Sequence, residues 1–232
     1  MAKRIVLVFT VFLFVMFHGL LHAAQRSTLR DKEVIVLFDE PLRVAAEEAA
    51  TLYPLLKKEL EDTLARPVNF RPTVVLIKES ETFQRTAGTN LIVAFAIPEK
   101  NLMVIDYSKT RKDPFSIETT MKHELCHLLL HNYIKEGNLP KWLDEGVCQW
   151  VSDGISENIM TQKRSVLDEA ILSGRYISIR ALTGRFPRDE RYLVLAYEES
   201  KSLVEYMISS FGKEAVLSVL NYLEEGVEVD EA

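Results

Sequence analysis

The period of the apolar positions changes about halfway along this chain. Up to Tyr107 there are short runs rich in β-branched residues around one long helical pattern, and beyond Asp113 the spacing is that of helices. Val34-Ile35-Val36-Leu37-Phe38 predicts a strand. Leu42 to Leu64, rich in Ala, Leu, Glu and Lys, predicts a long helix that Pro54 is expected to kink or restart and Arg66-Pro67 to close. Thr73 to Lys78 reads as a strand and Ser80 to Thr86 as a short helix ending near Gly88. Leu91 to Ile97 and Leu102 to Tyr107, separated by Pro98-Glu99-Lys100-Asn101, read as a hairpin. Asp113 as a cap and Pro114 in the first turn predict a helix running to about Asn132, and Pro140 opens the next. Further helices are expected over Glu157 to Leu172, Arg191 to Ser210 and Lys213 to Glu225, with an irregular stretch from Tyr176 to Pro187 and Gly212 as a stop. Strands first and helices second is an α+β arrangement, sheet-rich over 33–107 and helical over 113–226, with a cleft expected between the halves.

The first helix beyond this boundary carries the candidate chemistry. His123-Glu124-Leu125-Cys126-His127 puts two histidines four residues apart, hence on one helical face, with Glu124 about 100° round the helix. Two imidazoles aimed at one metal and a carboxylate able to take a proton from water are the parts of a zinc hydrolase. Catalytic zinc takes three protein ligands and keeps a fourth position open, and two His with one Glu is an attested set. Seventeen residues separate His127 from Glu145, the natural third ligand, in Trp142-Leu143-Asp144-Glu145-Gly146. Asp144 is its rival; the two lie about 100° apart on a helix, so only one can face the metal well. His131, four residues after His127, has Leu128 rather than a carboxylate beside that spacing and reads as structural or solvated. Val93-Ala94-Phe95-Ala96 suits an edge strand for an extended peptide, since Ala94 and Ala96 let a backbone approach across Phe95; a plain hairpin strand fits equally well.

Composition and charge narrow the function. At 232 residues with 47% hydrophobic and 27% charged, the chain is long enough for one sizeable core. Lys3 and Arg4 precede the apolar run Ile5 to Phe17, and Ala23-Ala24 are small, so residues 1–24 are expected to be a signal peptide or an uncleaved N-terminal membrane anchor, and the protein exported: periplasmic, secreted or membrane-attached. Removing them takes away Lys3 and Arg4 and no acid, so the formal charge moves from −6 to −8 over residues 25–232. Nucleic acid is excluded as a partner on that balance. The two cysteines, Cys126 and Cys148, both fall on the ligand-bearing helices, as a disulfide between them or as a pair of small buried thiols.

The ligand region, with Ala196-Tyr197-Glu198-Glu199-Ser200 and Ser210-Phe211-Gly212 further on, resembles the gluzincin branch of zinc metallopeptidases, in particular small bacterial peptidase MA-like domains, over about residues 33–226. The resemblance implies a thermolysin-like catalytic core with His123, His127 and Glu145 as ligands of one Zn2+, Glu124 as general base and a peptide or protein as substrate. It places the family's oxyanion-stabilising tyrosine at Tyr197, with Tyr192 five residues away as the alternative. Gln149 stands where such enzymes often place a carboxylate behind a ligand, and is expected to accept a hydrogen bond from His123. The family commonly continues beyond the region of Gly226 with a helix carrying an Ala-Phe motif, so a shortened helical half is expected. An endopeptidase is favoured, because no amine-anchoring Gly-Ala-Met-Glu-Asn-type motif is present. The competing readings are a catalytically inactive metal-binding or partner-binding envelope domain, and a zinc hydrolase of a non-peptide amide or ester.

Overall fold

A computed structural model describes residues 26–111, 115–135, 137–153 and 166–229. The expected signal or anchor segment, the Asp113 cap with Pro114, and the first part of the helix foreseen from Glu157 lie outside the described residues.

The N-terminal half is a five-stranded mixed sheet. Its strands are β1 (Ser27–Arg30), β2 (Ile35–Phe38), β3 (Thr73–Ile77), β4 (Ala94–Ile97) and β5 (Leu102–Asp106), arranged in the order β1-β2-β3-β5-β4. β2, β3 and β5 are parallel neighbours, while β1 and β4 pair antiparallel at the two edges. The expected hairpin is the antiparallel β4/β5 pair. α1 (Arg43–Leu64) connects β2 to β3, so one parallel crossover does occur within the α+β layout. Pro54 sits inside α1 and the helix runs through it as one element.

Period-two side-chain alternation splits the sheet into two packed faces. Val36, Val74 and Met103 stand side by side in the ladder, and with Phe38, Leu76 and Ile105 they join the main core. Against that face pack α1, through Ala46, Tyr53 and Leu60, and α3 (Ile117–Tyr133), through Met121 and Leu125. The opposite face, with Val75, Ile77, Leu102 and Val104, is covered by Phe83 of α2 (Ser80–Ala87).

Ser116 caps α3, its hydroxyl accepting from the Thr119 N–H at 3.0 Å, and the helix starts at Ile117. Most of α3 is buried, which explains its lack of a clean polar face: it lies between the sheet and the helical half. That half comprises α4 (Lys141–Val151), α5 (Val166–Ser173), α6 (Ile179–Thr183), α7 (Glu190–Phe211) and α8 (Lys213–Glu225). α6 is a short helical turn within the stretch read as irregular. One main core draws side chains from the sheet, α1, α3, α4, α7 and α8, so both halves share it. Among the described residues no helix is long and apolar enough to cross a membrane.

Candidate metal centre and cleft

Packing of α3 against α4 brings the three expected ligands together. The Nε2 atoms of His123 and His127 are 3.1 Å apart, and Oε2 of Glu145 lies 3.5 Å from each. A tetrahedral metal with bonds of about 2.0–2.1 Å needs ligand atoms roughly 3.3–3.4 Å apart, so the triangle has the size of a coordination face. The hydrogen bonding supports the same fit. Nδ1 of His127 donates to Oδ1 of Asp144 at 2.6 Å. Nδ1 of His123 lies 3.4 Å from the Ser152 hydroxyl, which itself donates to the Cys148 carbonyl. With both Nδ1 atoms engaged as donors, both Nε2 atoms present lone pairs inward. Oε2 of Glu145 is buried without a hydrogen-bond partner. Three lone-pair atoms facing one another in a buried site call for a cation, and the donor set suits a divalent metal.

Electrostatics favour positive charge at this point. Burial acts against charging His127, but the carboxylates of Asp144 and Glu145 outweigh it and hold the imidazole well above its ordinary range. Burial likewise acts to raise Glu145, and Lys141 with His127 more than reverses it, so the carboxylate stays ionised. Glu124 behaves differently: burial comes first and pushes its carboxyl up, towards the range a general base needs. His127, Asp144 and Cys148 also converge, but their 2.6 Å His–Asp separation is a charge-assisted hydrogen bond rather than a pair of metal-ligand positions.

The surroundings give each neighbouring side chain a partner. Asp144 is buried and orients His127 through the nitrogen that faces away from the ligand cluster, which raises the ligand's basicity. His131 packs against the other oxygen of that carboxylate at 3.3 Å, a structural role. Gln149 was expected to serve His123. Its amide instead donates to the backbone carbonyl of Tyr197 at 3.1 Å, because α7 passes the face of α4 on which Gln149 lies one turn after Glu145. Ser152 stands beside His123, a residue the sequence reading missed; only its place at the end of α4 marks it. Lys141 was missed as well, although its i,i+4 spacing to Glu145 was a signal.

Cys126 and Cys148 are free, fully buried thiols, not a disulfide. Burial and a hydrogen bond with Cys126 push the Cys148 thiol well above its ordinary range, and its sulfur sits 3.4 Å from Nδ1 of His127. Neutral thiols in a closed helix contact behave as small apolar residues.

The centre opens into a cleft of about 660 Å³ bordered by Ala94, Phe95 and Ala96 of β4, by Lys141 and Gln149, and by Tyr197 of α7. Register puts Ala94 and Ala96 on the α3 side, opposite Ile105 and Met103. The ring of Phe95 turns to the far face, 5.7 Å from Phe83, so what Phe95 offers the cleft is its backbone. Tyr197 lines the cleft beneath Phe186, whose ring meets it edge-on at 5.4 Å. Burial pushes its phenol up, with the Glu145 charge adding to the effect, so the hydroxyl stays a proton donor. Tyr192 is 53% exposed and does not border the cleft.

A His/His/Glu metal-ligand cluster with an adjacent carboxylate base, set between a sheet edge and a helical half, has the make-up of a metal-dependent hydrolase centre. The family model of the Peptidase MA superfamily matches residues 81–232, well over half of the chain, and the chain belongs to that superfamily. Comparison with curated proteins gave no match. In a peptidase domain this cluster supports a metallopeptidase mechanism with Glu124 as base and a peptide or protein as substrate.

Proposed function

We propose that the protein is a zinc endopeptidase of the cell envelope, holding one zinc ion through His123, His127 and Glu145. The observation that carries the reading is the unpartnered Oε2 of Glu145 facing the inward Nε2 atoms of His123 and His127, with the buried Glu124 next to His123 in the chain. When bound, the metal supplies a Lewis acid that lowers the pKa of water towards neutrality and polarises the scissile carbonyl. Glu124 takes the proton from the attacking water and returns it to the leaving amine. Asp144 keeps His127 in the tautomer that presents Nε2. The outer edge of β4 receives an extended peptide by backbone pairing, and Ala94 and Ala96 leave room for its chain. The openness of this edge to a through-running peptide favours internal cleavage, and the basic-then-apolar N-terminal segment supports export.

The test is the zinc content of the purified protein together with hydrolysis of a peptide library. One zinc per chain with internal cleavages is expected; a zinc-loaded protein that cleaves no peptide overturns the peptidase reading. In this reading Tyr197, which lines the cleft with its phenol protonated, donates a hydrogen bond to the developing oxyanion. Tyr197→Phe is expected to lower kcat by about 10²-fold with little change in KM, measured by steady-state kinetics on one cleaved peptide. Unchanged turnover removes Tyr197 from the mechanism.

A further inference from the structure

Lys141 is a charged cleft residue beside the metal ligands that the mechanism leaves unused. It is the first residue of α4, where the helix dipole disfavours a cation. Two carboxylates of the next turn offset this: Nζ lies 2.7 Å from Oε1 of Glu145 and 3.2 Å from Oδ2 of Asp144. The two oxygens of Glu145 are thus divided, Oε1 to the ammonium and Oε2 to the paired imidazoles. Charge counting gives the same division a reason. Glu124, Asp144 and Glu145 are all buried, and three buried negative charges are matched by one ammonium plus one divalent cation. Without Lys141 the metal-loaded site carries an uncompensated negative charge, and Glu145 has a second oxygen free.

We propose that Lys141 is a positioning residue for the metal centre: by holding Oε1 of Glu145 it limits that carboxylate to one ligating oxygen and so keeps a coordination position open. The inference rests on the metal-site reading above. A carboxylate with both oxygens free can close on a metal through both. Catalytic sites need the vacant position for water, so a second oxygen from Glu145 would compete with the reaction without expelling the metal. Removal of Lys141 therefore acts on coordination number and turnover rather than on binding of the ion.

Cobalt(II) exchanged into the protein reads this directly, because its visible absorption is several-fold stronger in four-coordinate sites than in five- or six-coordinate ones. Lys141→Met is expected to bind one Co2+ per chain but with a several-fold weaker visible band. Its zinc form should show kcat lowered about 10- to 100-fold, with KM within about twofold. Lys141→Arg, which keeps a charged donor, is expected to restore the native band. Lys141→Ala carries no donor and should repeat the methionine result; it stands in if Lys141→Met does not fold. A folded Lys141→Met or Lys141→Ala protein with the native spectrum overturns the assignment, and so does one that loses the ion altogether. Failure of the underlying reading looks different: wild type would bind no Co2+, or its binding would survive His123→Ala.

Discussion

Glu124→Gln is expected to lower kcat for peptide hydrolysis by about 10²–10⁴-fold and to leave the metal content unchanged. Glutamine keeps the shape of the side chain but cannot take a proton from water or return one to an amine. Glu124 is only 5% exposed and is not one of the three atoms that converge, so the triangle of His123, His127 and Glu145 should survive the change. Burial raises the Glu124 carboxyl, which means its charged form is disfavoured where it stands. Thermal stability should therefore be equal to wild type or slightly higher. Kinetics on a cleaved peptide, zinc analysis and a melting curve check the three parts separately. A variant with full turnover would show that proton transfer runs through another group; a variant with lost zinc would show that Glu124 holds the site rather than serving it.

The second large effect is structural. A Cβ built on Gly146 would lie 2.4 Å from the carbonyl oxygen of Ser200 and 2.7 Å from Cγ2 of Val204. The nearest obstacle is the backbone of α7, which cannot turn aside as a side chain can, so α4 and α7 must separate. Gly146→Ala is expected to cost about 3 kcal/mol, the upper part of the usual range for overpacking, and to lower Tm by roughly 6–12 °C for a domain of this size. Activity should fall beyond what stability explains, because α4 carries Glu145 and α7 carries Tyr197. Gly184→Ala is the control: a Cβ there meets nothing within 4 Å. Similar melting temperatures for the two variants would show that the helices do not approach as closely as described.

Gly146 also shows where sequence reading stops. Its neighbour Glu145 could be assigned over Asp144 through the family resemblance, whereas nothing local in Glu145-Gly146 says that another helix crosses at that residue. The same division runs through the site. His123, Glu124 and His127 are legible because a helix repeats every 3.6 residues, so four-residue spacing places two side chains on one face whatever surrounds them. Ser152, by contrast, reaches His123 across 29 residues, and Gln149 meets Tyr197 across 48. Such pairs depend on how helices pack. The strands rich in β-branched residues were legible too, while β1 was not: it has four residues and a half-exposed pattern with Leu29 as its one apolar side chain, too weak a period to stand out. Its pairing with β2 supplies what its own sequence lacks.

By itself the amino-acid sequence determined the α+β layout, the helix that presents two imidazoles, the base beside them and the choice of Glu145 through its family resemblance. Each of these depends on residue type and spacing along one element or on a short linear signature. Only the tertiary structure decided which oxygen of Glu145 faces the histidines, that Asp144 serves His127 and Ser152 serves His123, that the cysteines are free, and that Lys141 enters the site. Those outcomes rest on the approach of α3, α4, α7 and the sheet edge, set by burial summed over the shared core, and no single segment contains that information.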